Sequence, residues 1–258
     1  LWRQHGTASP LLPLSLFGRP AYAAVSFIGL ATGVALYAAV VFLPQYLQSG
    51  LHLSPTASAW HLMPLMAGIT VAAIGSGKLL RAQTPPGQLA RVACALMLLS
   101  FGLLVAALRW LPNSPTALSG GLLPLGLGLG LLFPIVTVVA QRVSPTHHMG
   151  IATAAPVMLR SLGGAGGVAL LAALLAQSMQ EELMPLTALA AGAGAKQLPM
   201  PAGTFVADAI TAAQAHGLQW VFAYAAGAVL LALLVCRWLP QRRAQEASTD
   251  ASIRPVTA

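Results

Sequence analysis

Acidic residues are almost missing from this chain: five Asp and Glu in 258 residues, against thirteen Lys and Arg. Charged residues of both signs make up only 7%, where a soluble domain carries about 25%. So little charge cannot supply a polar surface facing water all round, which excludes a soluble globular enzyme or binding domain. Cysteine is scarce as well. Cys94 and Cys236 each stand inside an apolar run, which argues against a disulfide framework and leaves the redox compartment open. Clustered base is the third absence. The net charge is +8, yet the Lys and Arg residues are scattered singly, with no basic patch or aromatic-interleaved groove for nucleic acid. No initiator Met or signal peptide stands before Leu1, so the expectation is a piece of something longer.

What is abundant is hydrophobicity. Apolar residues make up 57% of the chain, and its mean hydropathy is +0.77. Six runs reach the ~20 residues that a helix needs to cross a bilayer. They span Ala21–Leu43, Thr56–Leu80, Leu89–Leu108, Thr116–Ala140, Gly150–Gln177 and Leu218–Cys236. The expected fold class is an all-α polytopic membrane protein, with the bilayer as its first partner. Residues 1–20 read as a cytoplasmic entry segment, 21–240 as the six-helix transmembrane unit and 241–258 as a disordered cytoplasmic tail. Between the fifth and sixth spans an outer loop over about 178–215 is expected, with a short amphipathic helix from Phe205 to His216. Arg3, Arg19, Lys78, Arg81, Arg91, Arg142, Arg237, Arg242, Arg243 and Arg254 fall on one side of this arrangement, and only Arg109 and Lys196 on the other. By the positive-inside rule both termini are cytoplasmic.

The spans differ in kind, with a period of three. The third and sixth are plain apolar helices. The first, second, fourth and fifth carry the glycines, prolines and polar residues, including a stripe of Ser26, Gly29, Gly33, Tyr37, Pro44 and Gln48 in the first. Two irregular helices followed by a plain one, twice over, suit a 3+3 inverted repeat, with the plain helices facing lipid. Gly126 and Gly130, Gly163 and Gly167, and Gly29 and Gly33 each form a GxxxG pair, which lets helix backbones approach closely. Pro124 and Pro134 each remove a helix hydrogen bond, so the fourth span either bends for gating or packs with a fixed kink.

Arg160 lies roughly 15 Å in from Gly150, at hydrocarbon depth, and an intramembrane charge is by default a functional candidate. Pro156, Gly163, Gly164 and Gly167 share its helical face and direct it into protein rather than lipid. Two readings stay open: an anchor hydrogen-bonded to a neighbouring helix's carbonyls, or a cavity charge that attracts an anionic group or tunes a partner acid. No acid stands in any of the six runs, so an acidic partner has to come from elsewhere. His61, beside Trp60, either titrates near neutral pH or is an interfacial polar residue. His147 and His148 lack further ligands for a metal site. An intramembrane serine protease would need a Gly-x-Ser-Gly setting. Ala117-Leu118-Ser119-Gly120 lacks its first glycine, and His216 stands at a helix start, so an enzyme is not expected.

Several segments in order resemble one family. Phe42-Leu43-Pro44-Gln45-Tyr46-Leu47-Gln48, Ser54-Pro55 and Met63-Pro64-Leu65 resemble the ninth and tenth helices of the fourteen-helix drug:proton antiporters. These are the EmrB/QacA-like branch of the major facilitator superfamily. The Gly126-x-Gly-x-Gly run with Pro134, the Gln141 to Gly150 loop and Arg160-Ser-Leu-Gly-Gly-Ala-Gly-Gly-Val-Ala continue the match. Pro10-Leu-Leu-Pro-Leu-Ser-Leu-Phe17 to Arg19 resembles the approach to the ninth helix, so the likeness covers about residues 10–240. Ser58-Ala59 replaces the family's usual Ala-Gly, and the Gly77 to Arg91 loop lacks its usual Asp.

The resemblance implies the C-terminal half of a proton-coupled multidrug or small-molecule exporter in a bacterial inner membrane, working by alternating access. Its partners would be absent N-terminal helices that carry the coupling acids, and a small hydrophobic substrate; it needs no cofactor beyond a proton gradient. Ser26, Thr32, Tyr37, Gln48, His61 and Arg160 are the cavity candidates, and Gly126, Gly128, Gly130, Pro134, Gly163, Gly164 and Gly167 the packing or gating set. The alternative is a non-transporting membrane scaffold or a truncated transporter fragment.

Overall fold

The computed structural model describes residues 18–81, 84–144, 149–192 and 202–239. Among them the regular structure is entirely helical: α1 (Pro20–Ser49), α2 (Pro55–Trp60), α3 (Met63–Arg81), α4 (Pro86–Trp110), α5 (Pro115–Val143), α6 (Met149–Gly192) and α7 (Ala202–Val235), with a 3-10 turn at Cys236–Trp238. Six stretches are long and apolar enough to cross a membrane, α2 and α3 together forming the second. Residues 1–17 of the expected entry segment 1–20 and all of the expected tail 241–258 lie outside the described residues.

Proline marks where helices begin. Pro20, Pro55, Pro86 and Pro115 each occupy the first helical turn, where the missing N–H costs nothing and the fixed φ suits the helix. Ser54 caps α2 by accepting from the Ala57 N–H at 3.2 Å. Three boundaries differ from the sequence expectation. The first span runs on through Pro44 to Ser49, because a membrane helix tolerates an internal proline when its neighbours hold it. The second breaks at His61–Leu62 instead of running unbroken from Thr56 to Leu80. The loop expected over 178–215 is helix up to Gly192 and again from Ala202, since its Ala, Leu, Gln and Glu are strong helix formers. The piece from Phe205 to His216 is thus the first turns of α7.

The packing order repeats. The most extensive helix pairs are α3 with α5 and α1 with α6, and each becomes the other when spans one to three are exchanged with spans four to six. Likewise α4 on α5 exchanges with α7 on α1. This pseudo-twofold relation is that of an inverted 3+3 repeat.

Both main crossings are made by glycine. At α1/α6, a Cβ on Gly33 would overlap the Arg160 carbonyl oxygen, one on Gly163 the Leu30 carbonyl, and one on Gly29 would stand 2.8 Å from the Pro156 carbonyl. At α5/α3, Cβ atoms on Gly126 and Gly130 would overlap the Leu65 and Ile69 carbonyls. Backbone thus meets backbone at both places, as in small-residue membrane packing. The rest of the core is apolar. Phe101 of α4 and Phe222 of α7 pack with ring centroids 5.9 Å apart, and Ser100 donates to the Gly121 carbonyl at 2.5 Å. Below them the Cys94 and Cys236 thiols lie 3.9 Å apart, both reduced and buried.

Coverage is uneven. In the first span 61% of the most apolar stretch is buried, but only 22% in the second and in the fifth. The third and sixth spans present apolar rows outward (Val92, Leu99 and Leu103; Leu230, Leu231 and Leu234), as expected of helices that face lipid. The second and fifth spans, expected to line the interior, are nonetheless the least covered by the chain's own helices.

Candidate functional site

Two polar centres stand out, one at each depth of the bundle. Helix alternation puts Arg19, Lys78, Arg91, Arg142 and Arg237 at one end, where Arg19 donates to the Val143 carbonyl and ties the start of α1 to the end of α5.

At the opposite end the break between α2 and α3 is held by side chains. Gln48 of α1 donates from Nε2 to the Ser58 hydroxyl at 3.0 Å, and that hydroxyl donates to the Pro55 carbonyl. His61 Nδ1 lies 2.6 Å from the Ser119 Oγ of α5, which donates to the Pro115 carbonyl at 2.8 Å. Ser119 has one proton; with that proton on Pro115, its oxygen accepts from Nδ1–H of His61. His61 Nε2 is then the acceptor lone pair, on a half-buried ring. Tyr46 closes the same end, its hydroxyl donating to the Pro112 carbonyl at 3.0 Å.

Between the two ends, Arg160 sits seven residues, about 10 Å, inside the fifth span's start at Thr153, a quarter of the way along it. Its guanidinium carbon lies 4.4 Å from the centroid of the Phe133 ring on α5. Among the described residues the guanidinium makes no hydrogen bond and no ion pair. A charge at the centre of a membrane helix costs at least ~2.5–3.5 kcal/mol on insertion scales, and Arg160, a quarter of the way along its span, bears part of that. A cation–π stack returns about 0.5–2 kcal/mol, part of that cost. The five N–H donors remain to be served.

The other candidates divide. Tyr37 is 39% exposed and lies over Gly164, where a Cβ would strike its ring. Gln48 is exposed at the far end, as described. Ser26 and Thr32, expected to line a cavity, are each 2% exposed and lie in the packing instead. The reason is that α1 is covered on most sides by neighbouring helices, with α6 received at Gly29 and Gly33. Thr32 returns its hydroxyl to the Gly29 carbonyl at 2.7 Å. Gly128 lies against Ala93 and Met97 of α4, and Gly167 against Val34. Pro134 is half-buried beside Phe133. His147 and His148 lie outside the described residues, and among the described residues no three His, Cys, Asp or Glu gather as metal ligands.

Two partners escaped the sequence reading. Ser119 meets His61 and not His216; His216 instead accepts from the Trp220 indole one turn on, at 3.2 Å. Phe133 carried no signal at all, because contact between α5 and α6 is a tertiary fact. A further groove of about 170 Å³ at the far end is lined by Leu174, Gln177, Ser178, Trp220 and Tyr224. Its sequence signal was the Trp220/Tyr224 spacing of four on one helix face.

Comparison with known proteins agrees with this architecture. A family model described as Major Facilitator Superfamily matches residues 2–168. An uncharacterized MFS-type transporter of Mycobacterium tuberculosis is 28% identical over 97% of this chain and 37% of its own length. A multidrug resistance protein B homolog of the same organism is 26% identical over 92% of this chain and 46% of its own length. The multidrug transporter protein MdtP of Bacillus subtilis is 26% identical over 64% of this chain and 30% of its own. The chain thus spans less than half the length of these curated relatives. With a six-span membrane fold, an inverted repeat and a family match over most of its length, this chain belongs to the major facilitator superfamily.

Proposed function

We propose that the chain is the C-terminal six-helix half of a proton-coupled exporter of small, largely apolar molecules, of the fourteen-helix antiporter branch. It sits in a bacterial inner membrane with both termini cytoplasmic and works by alternating access.

The observation that carries this reading is the uneven cover of the helices. The second and fifth spans exchange under the pseudo-twofold, and they are the two least covered. Their open faces carry apolar side chains such as Val71, Ile74, Leu162 and Leu170, as lipid-facing helices do, but they are interrupted by small and polar positions. They include Gly75, Gly77 and Gly166, at which an added Cβ would meet nothing within 4 Å, the exposed Ser161, and Arg160. Glycine, hydroxyl and guanidinium suit a protein neighbour or a water-filled passage far better than acyl chains. A second six- or eight-helix unit docking along these two spans would cover them and enclose a passage between the halves. The names of the relatives, multidrug transporters among them, and their greater length support the same reading.

Proton coupling then belongs to the other unit, because no acid stands in any of the six spans here. Vesicles containing only this chain should show no proton-driven dye efflux, and the full-length protein should restore it. Efflux from the chain alone would overturn the half-transporter assignment.

A further inference from the structure

Among the described residues Arg160 is the Lys or Arg that lies furthest inside a span, seven residues in where Arg91 of α4 is five, and its surroundings are specific. Phe133 covers one face of its guanidinium. Its side chain leans toward the start of α6, where Val157, one turn back, is 43% exposed. The two helices that supply the pair, α5 and α6, touch each other only sparingly, so the guanidinium bridges an opening and is not walled in. A planar, permanently charged fork with an aromatic ring on one face and no hydrogen-bond partner among the described residues is matched by one chemistry. That chemistry is a singly charged carboxylate, which the fork grips with two parallel hydrogen bonds. A dianion such as a phosphate would leave one charge uncompensated at a depth where charge is costly.

We infer that Arg160 and Phe133 form a recognition site for a carboxylate carried on an apolar aromatic body, the anionic end of a transported molecule. The carboxylate takes the guanidinium fork, and the aromatic body lies along Phe133 and Val157. This deepens, and rests on, the exporter reading: it names the class of molecule that Arg160 selects. Arg160 and Phe133 are then specificity-determining residues rather than packing residues.

The test is equilibrium binding to the full-length protein in nanodiscs of zwitterionic lipid, with 2-naphthoate as probe and 2-naphthamide as its neutral isostere. The wild type should bind naphthoate at least tenfold more tightly than naphthamide. Arg160→Ala should abolish that preference while leaving naphthamide binding within twofold. Should Arg160→Ala fail to fold, Arg160→Lys decides: it keeps the charge, loses the fork, and should weaken naphthoate several-fold without weakening naphthamide. Phe133→Leu should weaken both probes, by severalfold or less. Equal affinity of the two probes for wild type, or naphthoate binding untouched by either Arg160 variant, overturns the proposal. So does a wild type that binds neither probe, with a loss of folded protein in Arg160→Ala that a carboxylate-free medium does not change; the counter-charge is then an acid on a neighbouring helix. Efflux is scored separately in the same preparations: naphthoate selectivity without efflux sinks the exporter reading alone, and efflux without selectivity sinks this inference alone.

Discussion

The second and fifth spans occupy equivalent places in the two repeats, and they solve one packing problem in the same way. Each is laid against the first helix of the other repeat, α3 against α5 and α6 against α1, and each crossing is made by glycine against carbonyl. There the likeness stops. The second span is broken at His61–Leu62, and hydrogen bonds from two other elements clamp its start. The fifth is unbroken from Met149 to Gly192, and a Cβ at Gly150, near its start, would meet nothing within 4 Å. Only the fifth carries a charge within the membrane. The repeat therefore fixes where backbones meet and leaves the chemistry of each copy free to differ, which is how a symmetric frame can hold an asymmetric site.

The largest effects should come from the shared feature. Gly33→Val and Gly126→Val each force a branched side chain into a carbonyl of the facing helix. Overpacking a core by extra methylenes costs about 1–3 kcal/mol where side chains can yield. Here the obstacle is backbone, so both variants should exceed that range and lose monodisperse folded protein on size exclusion. In the chain by itself, Gly75→Ala and Gly166→Ala, on the open faces of the same two spans, should elute and melt like wild type. If one crossing tolerates valine and the other does not, the two repeats do not share their packing.

How far the sequence foretold this frame depends on which interaction carries each feature. Six spans and their period of three were legible, because the bilayer imposes length and apolarity on every segment separately. The glycine pairs at 29/33, 126/130 and 163/167 were legible for the same reason: the spacing that puts them on one face is local. The fate of Ser26 and Thr32 was not. A stripe of small and polar residues reads identically whether it receives a ligand or a helix, and only the arrival of the neighbouring helices decides. The expected loop over about 178–215 misled in the other direction, its Gly and Pro content suggesting a loop where Ala, Leu and Glu continue the helices up to Gly192 and from Ala202. Arg160 was flagged by its charge alone, but Phe133, a plain aromatic in an apolar run, offered nothing to set it apart.

A middling effect should separate the fifth span from the second. Phe133→Leu removes the ring under Arg160 while keeping bulk and apolarity. The lost stack is worth about 0.5–2 kcal/mol, and the protein should melt lower by an amount in keeping with it. In an Arg160→Met background, with no cation to stack, the same substitution should cost measurably less. Equal costs in both backgrounds would mean that Phe133 packs for its volume only.

The smallest effects belong to the clamp on the second span. His61→Ala and Ser119→Ala each break the 2.6 Å contact between the α2–α3 break and α5. A single hydrogen bond of this kind contributes about 0.5–1.5 kcal/mol net, so the double variant should be less destabilised than the sum of the two by about that amount. Gln48→Ala with Ser58→Ala should show a coupling at the lower end of the same range, because the Gln48 side chain is exposed and water can replace its partner. If Ser119 gives its proton to Pro115, His61 donates through Nδ1–H and the pair survives only while Ser119 can accept. Ser119→Cys, a poor acceptor of similar size, should then behave like Ser119→Ala in the cycle with His61. A cysteine that restores the full coupling would show instead that shape, not the hydrogen bond, sets the break where the fifth span has none.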